Sequence, residues 1–128
     1  MRLLLDTHAA LWALSEPEAL SAGARQAIVG ADEVRLSVVS PWELVIKAAL
    51  GKITLHRTVE DICRELEREF AAHSLGVTLP HVLEVGRLAP HHGDPFDRLL
   101  IAQARVERLT LVTRDPIFAD YGVPVVKA

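Results

Sequence analysis

The sequence predicts an α/β sandwich, a mostly parallel sheet with helices on both faces. Two observations carry this. Short apolar runs of strand length, at 2–5, 34–39 and 109–113, alternate with longer stretches whose apolar residues recur at helical spacing. The first run, RLLL, is apolar on successive residues rather than alternate ones, as a strand covered on both faces requires. The chain has 128 residues, half of them hydrophobic. That suits one domain spanning 1–128 and leaves little room for two.

Each element follows from local signals. The strand at 2–5 ends at Asp6. A short helix is expected over 7–14, carrying Leu11, Trp12 and Leu14 and broken by Ser15, Glu16 and Pro17. Ser21 is placed to cap a helix over 22–29 that closes at Gly30. Residues 34–39, VRLSVV, read as the second strand. Ser40-Pro41 then opens a helix to Leu50, with Gly51 at its C-terminal cap. A helix over 58–72 puts Val59, Ile62, Cys63, Leu66 and Phe70 on one face, which makes Cys63 a core residue rather than a nucleophile. Residues 76–79, GVTL, suggest a third strand. Pro80 starts a helix through Gly86 to Leu88. After the loop APHHG, a helix runs from Pro95 to Arg108 and leads into the strand LTLVT at 109–113. Asp115-Pro116 begin a single turn, and VPVV at 123–126 forms the last strand.

Composition narrows the function. A single cysteine excludes an internal disulfide and a cysteine-rich metal site. No segment reaches the roughly 20 apolar residues that span a bilayer. The opening MRLLLDTHAALWAL has a basic residue and an apolar run, but Asp6 and His8 interrupt it, so a strand and helix are expected rather than a leader. A cytoplasmic protein is the expectation. Formal net charge is −3, from 17 acids and 14 Lys and Arg. This argues against broad, metal-free nucleic-acid binding, although bound divalent cations would offset clustered carboxylates locally.

Four acids share a placement. Asp6 follows the first strand directly, Glu43 lies just past the second, Asp97 sits in the first turn of the helix leading into the fourth, and Asp115 lies two residues beyond that strand. In a parallel sheet these positions gather at one edge, where open α/β folds place their sites. Clustered carboxylates repel one another unless a cation sits among them. Oxygen ligands without cysteine suit Mg²⁺ or Mn²⁺, which activate water and stabilise charge on a phosphodiester. A purely structural reading competes, because acids are favoured at helix starts. Ser40-Pro41-Trp42-Glu43 has capping-box spacing, Asp94-Pro95-Phe96-Asp97 nearly so, and Lys47 stands one turn after Glu43 as an intrahelical partner.

Read together, these segments resemble the PIN-domain nucleases, and among them the VapC-like toxins of type II toxin–antitoxin systems. LLLDTHAALW is similar to the first motif, with Asp6 as its acid. SVVSPWELVIKAALGKI is similar to the second, carrying Glu43. HHGDPFDRLLIAQA is similar to the third, in the branch written histidine-x-x-aspartate-proline-phenylalanine-aspartate-arginine, with Asp97 as its acid and Asp94 as an extra carboxylate one turn earlier. LVTRDPIF is similar to the fourth, with Asp115. The resemblance spans Arg2 to Val126. It implies a three-layer α/β/α domain with five strands in order 3-2-1-4-5 and a Mg²⁺- or Mn²⁺-dependent endoribonuclease. It also implies a homodimer and a cognate protein antitoxin.

Other residues are candidates for placing substrate. Thr7 could reach a phosphate oxygen, orient Asp6 or cap the first helix. Arg98 and Arg114 are cations that could meet RNA phosphates. His91 stands at the histidine position of the third motif. Trp12 and Trp42 are expected in the core, with base stacking as the alternative. Three competing functions remain: a catalytically weak binding protein that keeps the site for structure, a metal-dependent DNA nuclease or phosphatase, and a phosphoacceptor domain. The last is disfavoured, because Lys127 is too close to the C-terminus to serve as its lysine.

Overall fold

A computed structural model describes every residue from Met1 to Ala128. Strands β1 (Arg2–Leu5), β2 (Glu33–Ser37), β3 (His73–Leu75), β4 (Thr110–Thr113) and β5 (Val125–Lys127) form one sheet in the order β3-β2-β1-β4-β5, every pair parallel. Crossovers between parallel strands need helices, and here these are α1 (Thr7–Ser15), α2 (Ala22–Val29), α3 (Val39–Ala49), α4 (Val59–Phe70), α5 (Leu79–Val85) and α6 (Pro95–Glu107).

The continuous leucine run of β1 explains the layering. Leu3, Leu4 and Leu5 are all fully buried. Leu3 and Leu5 join one apolar cluster with Ala9, Ala10 and Ala13 of α1, Ala24 and Ile28 of α2, and Ile62 and Leu66 of α4. Leu4 joins a second cluster with Leu100, Ile101 and Ala104 of α6 and with Phe118. Side chains alternate across a strand, so β1 feeds both cores, and each buried leucine contributes about 1.5–3 kcal/mol. The three-layer α/β/α architecture and its strand order agree with the expectation. Cys63 is half-buried against the first cluster, and burial pushes its thiol pKa up.

Three boundaries differ from the sequence reading. Strand β2 ends at Ser37 and α3 starts at Val39, although the Val-Val pair favours a strand. The fully buried Val39 joins the second cluster, and its N–H donates to Ser37 Oγ at 3.1 Å. Ser40 therefore lies inside the helix rather than at its cap. Pro41 falls in the first turn, where no N–H partner is needed, and Glu43 moves into the second turn. The capping-box reading of Ser40 and Glu43 is thus overturned.

The third strand is His73–Leu75, not 76–79. Helix α4 stops at Ala71, whose φ of 50° turns the chain, and His73 then pairs with Arg35. The apolar residues that suggested a strand at 76–79 face outward instead, with Val77 and Leu79 exposed. The last strand shifts to Val125–Lys127. Pro124 has no N–H, and its carbonyl accepts from Leu111 at 2.9 Å where the pairing begins.

Candidate active site

The carboxylates collect at the C-terminal edge of the sheet, around its central strand. Asp6 leaves β1 as the N-cap of α1, and its Oδ1 accepts from the Ala9 N–H at 2.8 Å. Its own N–H continues the ladder to Val112 O at 3.1 Å. The side chain is buried, with the Thr113 hydroxyl close enough to favour its ionised form. Burial pushes the Asp6 pKa above the usual aspartate range. Thr113, the Ala9 N–H and His8 oppose the rise, and the charge of Glu43 adds to it.

Glu43 is buried on the inner face of α3 with both oxygens engaged. The Thr7 hydroxyl donates to Oε1 at 2.7 Å and lies 3.0 Å from Ser40 Oγ. Lys47, one helical turn on, bonds Oε2. The Lys47 pKa is raised, first by its hydrogen bond to Glu43 and then, against partial burial, by the charges of Glu43, Asp94 and Asp97. Lys47 therefore sits in the field of three carboxylates.

At the start of α6 two aspartates divide the work. Asp94 is the N-cap, its Oδ1 accepting from the N–H groups of Phe96 at 2.8 Å and Asp97 at 3.1 Å. Asp97, one turn later, caps nothing. Its Oδ2 lies 2.7 Å from His92 Nε2. Its pKa rises to about 6, first through burial and then through the charges of Asp94 and Glu43, while His92 pulls it down. Asp115 is exposed beyond β4 and caps the following 3₁₀ turn, accepting from Ile117 N–H at 3.1 Å.

Asp97, Asp115 and His92 each offer one ligand atom within 4.8 Å of the others. Asp6, Glu43 and Asp94 stand outside that group but act on it or on one another through charge. The sequence reading singled out His91 of the adjacent pair and left His92 as a loop residue. His91 is exposed and sets its ring edge-on to Tyr121, with centroids 5.2 Å apart. Spacing alone could not choose between adjacent histidines in a loop.

The remaining candidates take specific places. Thr7 is buried against Glu43. The Arg98 guanidinium turns inward, donating to the carbonyls of Val85, Leu88, Ala89 and His92 and to the Tyr121 hydroxyl at 3.0–3.4 Å. It ties down the loop before α6 instead of pointing to solvent. Arg114 stacks over the Trp12 ring, 4.0 Å from its centroid, and bonds the carbonyls of Ala19 and Ala128. Trp12 is partly buried against the first core, whereas Trp42 is 51% exposed and meets Phe96 edge-on. The core assignment of Trp42 is overturned, because the buried face of α3 is Val39, Ser40, Glu43 and Leu44 and Trp42 lies off it.

The donor chemistry fits a divalent cation. Five carboxylates face one edge, Lys47 is bonded to Glu43, and burial first and neighbouring negative charge second raise Asp6 and Asp97. Such a set lacks a positive charge, and its oxygen atoms suit a hard ion.

The sequence profile of the PIN domain matches residues 3–124. The chain is 36% identical over 115 residues to Ribonuclease VapC22 of Mycobacterium tuberculosis, which covers 88% of this chain and 86% of that protein. Among solved structures, DNA-bound VapBC from Salmonella typhimurium superposes with a TM-score of 0.71 at 15% identity, covering 99% of this chain and 98% of that one. FitAcB from Neisseria gonorrhoeae gives 0.67 at 21% identity, covering 98% and 96%. These two likenesses concern the fold, and the profile and the VapC22 match go further: the chain belongs to the PIN-domain family.

Proposed function

We propose that the chain is a Mg²⁺- or Mn²⁺-dependent endoribonuclease, the toxin of a toxin–antitoxin pair, working in the cytoplasm. The observation that carries this is the convergence of Asp6, Glu43, Asp97 and Asp115 on one sheet edge, with Asp6 and Asp97 pushed up by burial and by adjacent negative charge. The ribonuclease name of the 36%-identical relative supports RNA as substrate.

In this reading Asp6, Glu43, Asp97 and Asp115 hold the ion, and Asp94 adds charge from its cap. When bound, the ion supplies a Lewis acid that lowers the pKa of water and offsets charge building on the phosphate. The protein's own part is orientation. Thr7 and Lys47 fix the two oxygens of Glu43, the Ala9 N–H fixes Asp6, and His92 holds Asp97. Arg114 and His91, both exposed, are the candidates for placing RNA. Thr7 and Arg98 act from inside, by holding other groups.

Purified protein should cleave RNA with Mg²⁺ or Mn²⁺ and not in EDTA, and should leave DNA and small phosphoesters largely intact. Cleavage unaffected by EDTA, or equal hydrolysis of DNA, would overturn this reading. The VapBC likenesses support a protein antitoxin as partner, which should abolish the same cleavage when added.

A homodimer belongs to the same reading. Helix α3 exposes Trp42 and Val45, and α5 exposes Leu79, Val82 and Leu83. Both helices pack on α6, so a second copy could cover both at once. Light scattering at micromolar concentration should give twice the chain mass of 14.1 kDa. A persistent monomer would remove the claim.

A further inference from the structure

A histidine faces the acidic cluster, and the four-carboxylate reading gives it no bond to the ion. His92 Nε2 lies 2.7 Å from Asp97 Oδ2, and the two residues share a group with Asp115 whose ligand atoms lie within 4.8 Å of one another. The histidine is held in place from outside the cluster. Its backbone N–H donates to the Tyr121 hydroxyl at 2.8 Å, and its backbone carbonyl accepts from Arg98 at 3.2 Å. The same guanidinium fixes the carbonyls of Val85, Leu88 and Ala89. The imidazole leans toward the fully buried Phe118, with ring centroids 6.3 Å apart. A residue whose backbone is already anchored loses less freedom on taking a ligand.

We propose that His92 supplies a nitrogen ligand to the divalent ion held by Asp97 and Asp115, and that it biases the site toward Mn²⁺ over Mg²⁺. This rests on the metal-dependent reading above and assigns that site a donor outside the four acids. The spacing suits it. Two ligand atoms about 2.1 Å from one ion stand about 3.0 Å apart at right angles and about 4.2 Å apart across it. The observed 2.7 Å contact and 4.8 Å limit bracket that range. Adjustments of roughly half an ångström bring the three groups onto one octahedral ion. Imidazole nitrogen strengthens binding of first-row transition ions, whereas Mg²⁺ keeps to oxygen ligands and water. Asp115 is exposed, so the group opens to solvent.

The competing role is an outer one, in which His92 donates Nε2–H to an Asp97 that alone touches the ion. Removing such an outer partner also weakens metal binding, by roughly 10–100-fold, so affinity alone does not separate the two. Spectroscopy does. Wild type, His92→Gln and His91→Gln are titrated calorimetrically with MnCl₂ and with MgCl₂, and the Mn²⁺-loaded proteins are studied by pulsed electron paramagnetic resonance. Wild type should show the nitrogen hyperfine coupling of a directly bound imidazole. His91→Gln should retain it and His92→Gln should lose it. Mn²⁺ affinity should fall about tenfold or more in His92→Gln, with Mg²⁺ affinity changed less than about threefold. Wild-type Mn²⁺ lacking that coupling, or a coupling that survives His92→Gln, overturns the histidine ligand and leaves the carboxylate site standing. A wild type that binds neither ion overturns the metal reading and this inference with it. The wild-type spectrum decides the point even if the variant folds poorly.

Discussion

Asp97→Asn is expected to remove most metal-dependent RNA cleavage while making the metal-free protein more stable at neutral pH. Asparagine keeps the size of aspartate and an oxygen that can accept from His92, but it carries no charge to hold a divalent ion. The stability gain follows from the pKa, which rises from an ordinary 3.8 to about 6. An acid that binds its proton more tightly when folded loses stability as pH rises through that interval, and the loss persists above it. Two units correspond to roughly 3 kcal/mol. The side chain is 24% exposed, so solvent screening brings the expected gain down to about 1–2 kcal/mol. That is a rise in Tm of about 3–6 °C at neutral pH, vanishing near pH 4 where wild-type Asp97 is itself protonated. Asp94→Asn is the comparison. It keeps the cap on Phe96 and Asp97 and should lose far less activity. RNA cleavage with Mn²⁺ and thermal unfolding in EDTA at both pH values test all of this. Undiminished cleavage by Asp97→Asn would take Asp97 out of the site, and a fall in Tm would make it a structural group.

Helix-start capping accounts for one of these two aspartates and not the other. Spacing puts both Asp94 and Asp97 in reach of the first turn of α6, and in the folded protein Asp94 takes both N–H groups. Capping explains Asp94. It leaves Asp97 capping no helix N–H, half-buried near other carboxylates, with His92 as its one side-chain partner. At Glu43 the sequence suggested a cap that does not exist, because the helix begins at Val39.

The fold was legible where burial is one-sided or complete. The unbroken leucines of β1 identify a central strand, and the spacing of Ile62, Cys63 and Leu66 identifies the buried face of α4. Legibility failed where one apolar signal served two purposes. Val38 and Val39 look like strand yet start a helix, since Val39 finds its core from a helical position. Val77 and Leu79 look like strand yet are exposed, because Ala71 turns the chain early enough for His73–Leu75 to take the sheet edge. The acids could be placed at one edge from strand order alone. The groups that orient them could not: Thr113, His92 and Ser40 act through contacts that depend on a loop path or a helix start.

Lys47→Met tests whether Glu43 is a buried functional charge or half of an ordinary helix pair. Methionine keeps the length and apolar stem of lysine and deletes the ammonium. Glu43 has only 4% of its side chain exposed, and Lys47 has 30%, so the variant leaves a nearly buried carboxylate with the Thr7 hydroxyl and no counter-charge. Breaking a fully buried pair costs about 3–5 kcal/mol. Exposure of the ammonium reduces the expected loss to roughly 1–3 kcal/mol, or about 3–10 °C in Tm measured in EDTA. The raised Lys47 pKa means that this stabilisation is present across the whole range below the ordinary lysine value and is lost only as pH climbs through the higher folded one. Removing the ammonium also deepens the negative field at Asp94 and Asp97, so a divalent ion should bind the variant more tightly and restore more stability to it than to wild type. The two Tm values should converge as Mn²⁺ is added. An exposed pair one helical turn apart predicts something else: a loss of about 0.3–0.5 kcal/mol, barely visible in Tm and indifferent to Mn²⁺. A gap that is small in EDTA, or one that Mn²⁺ fails to close, would return Glu43 to that reading and remove it from the proposed site.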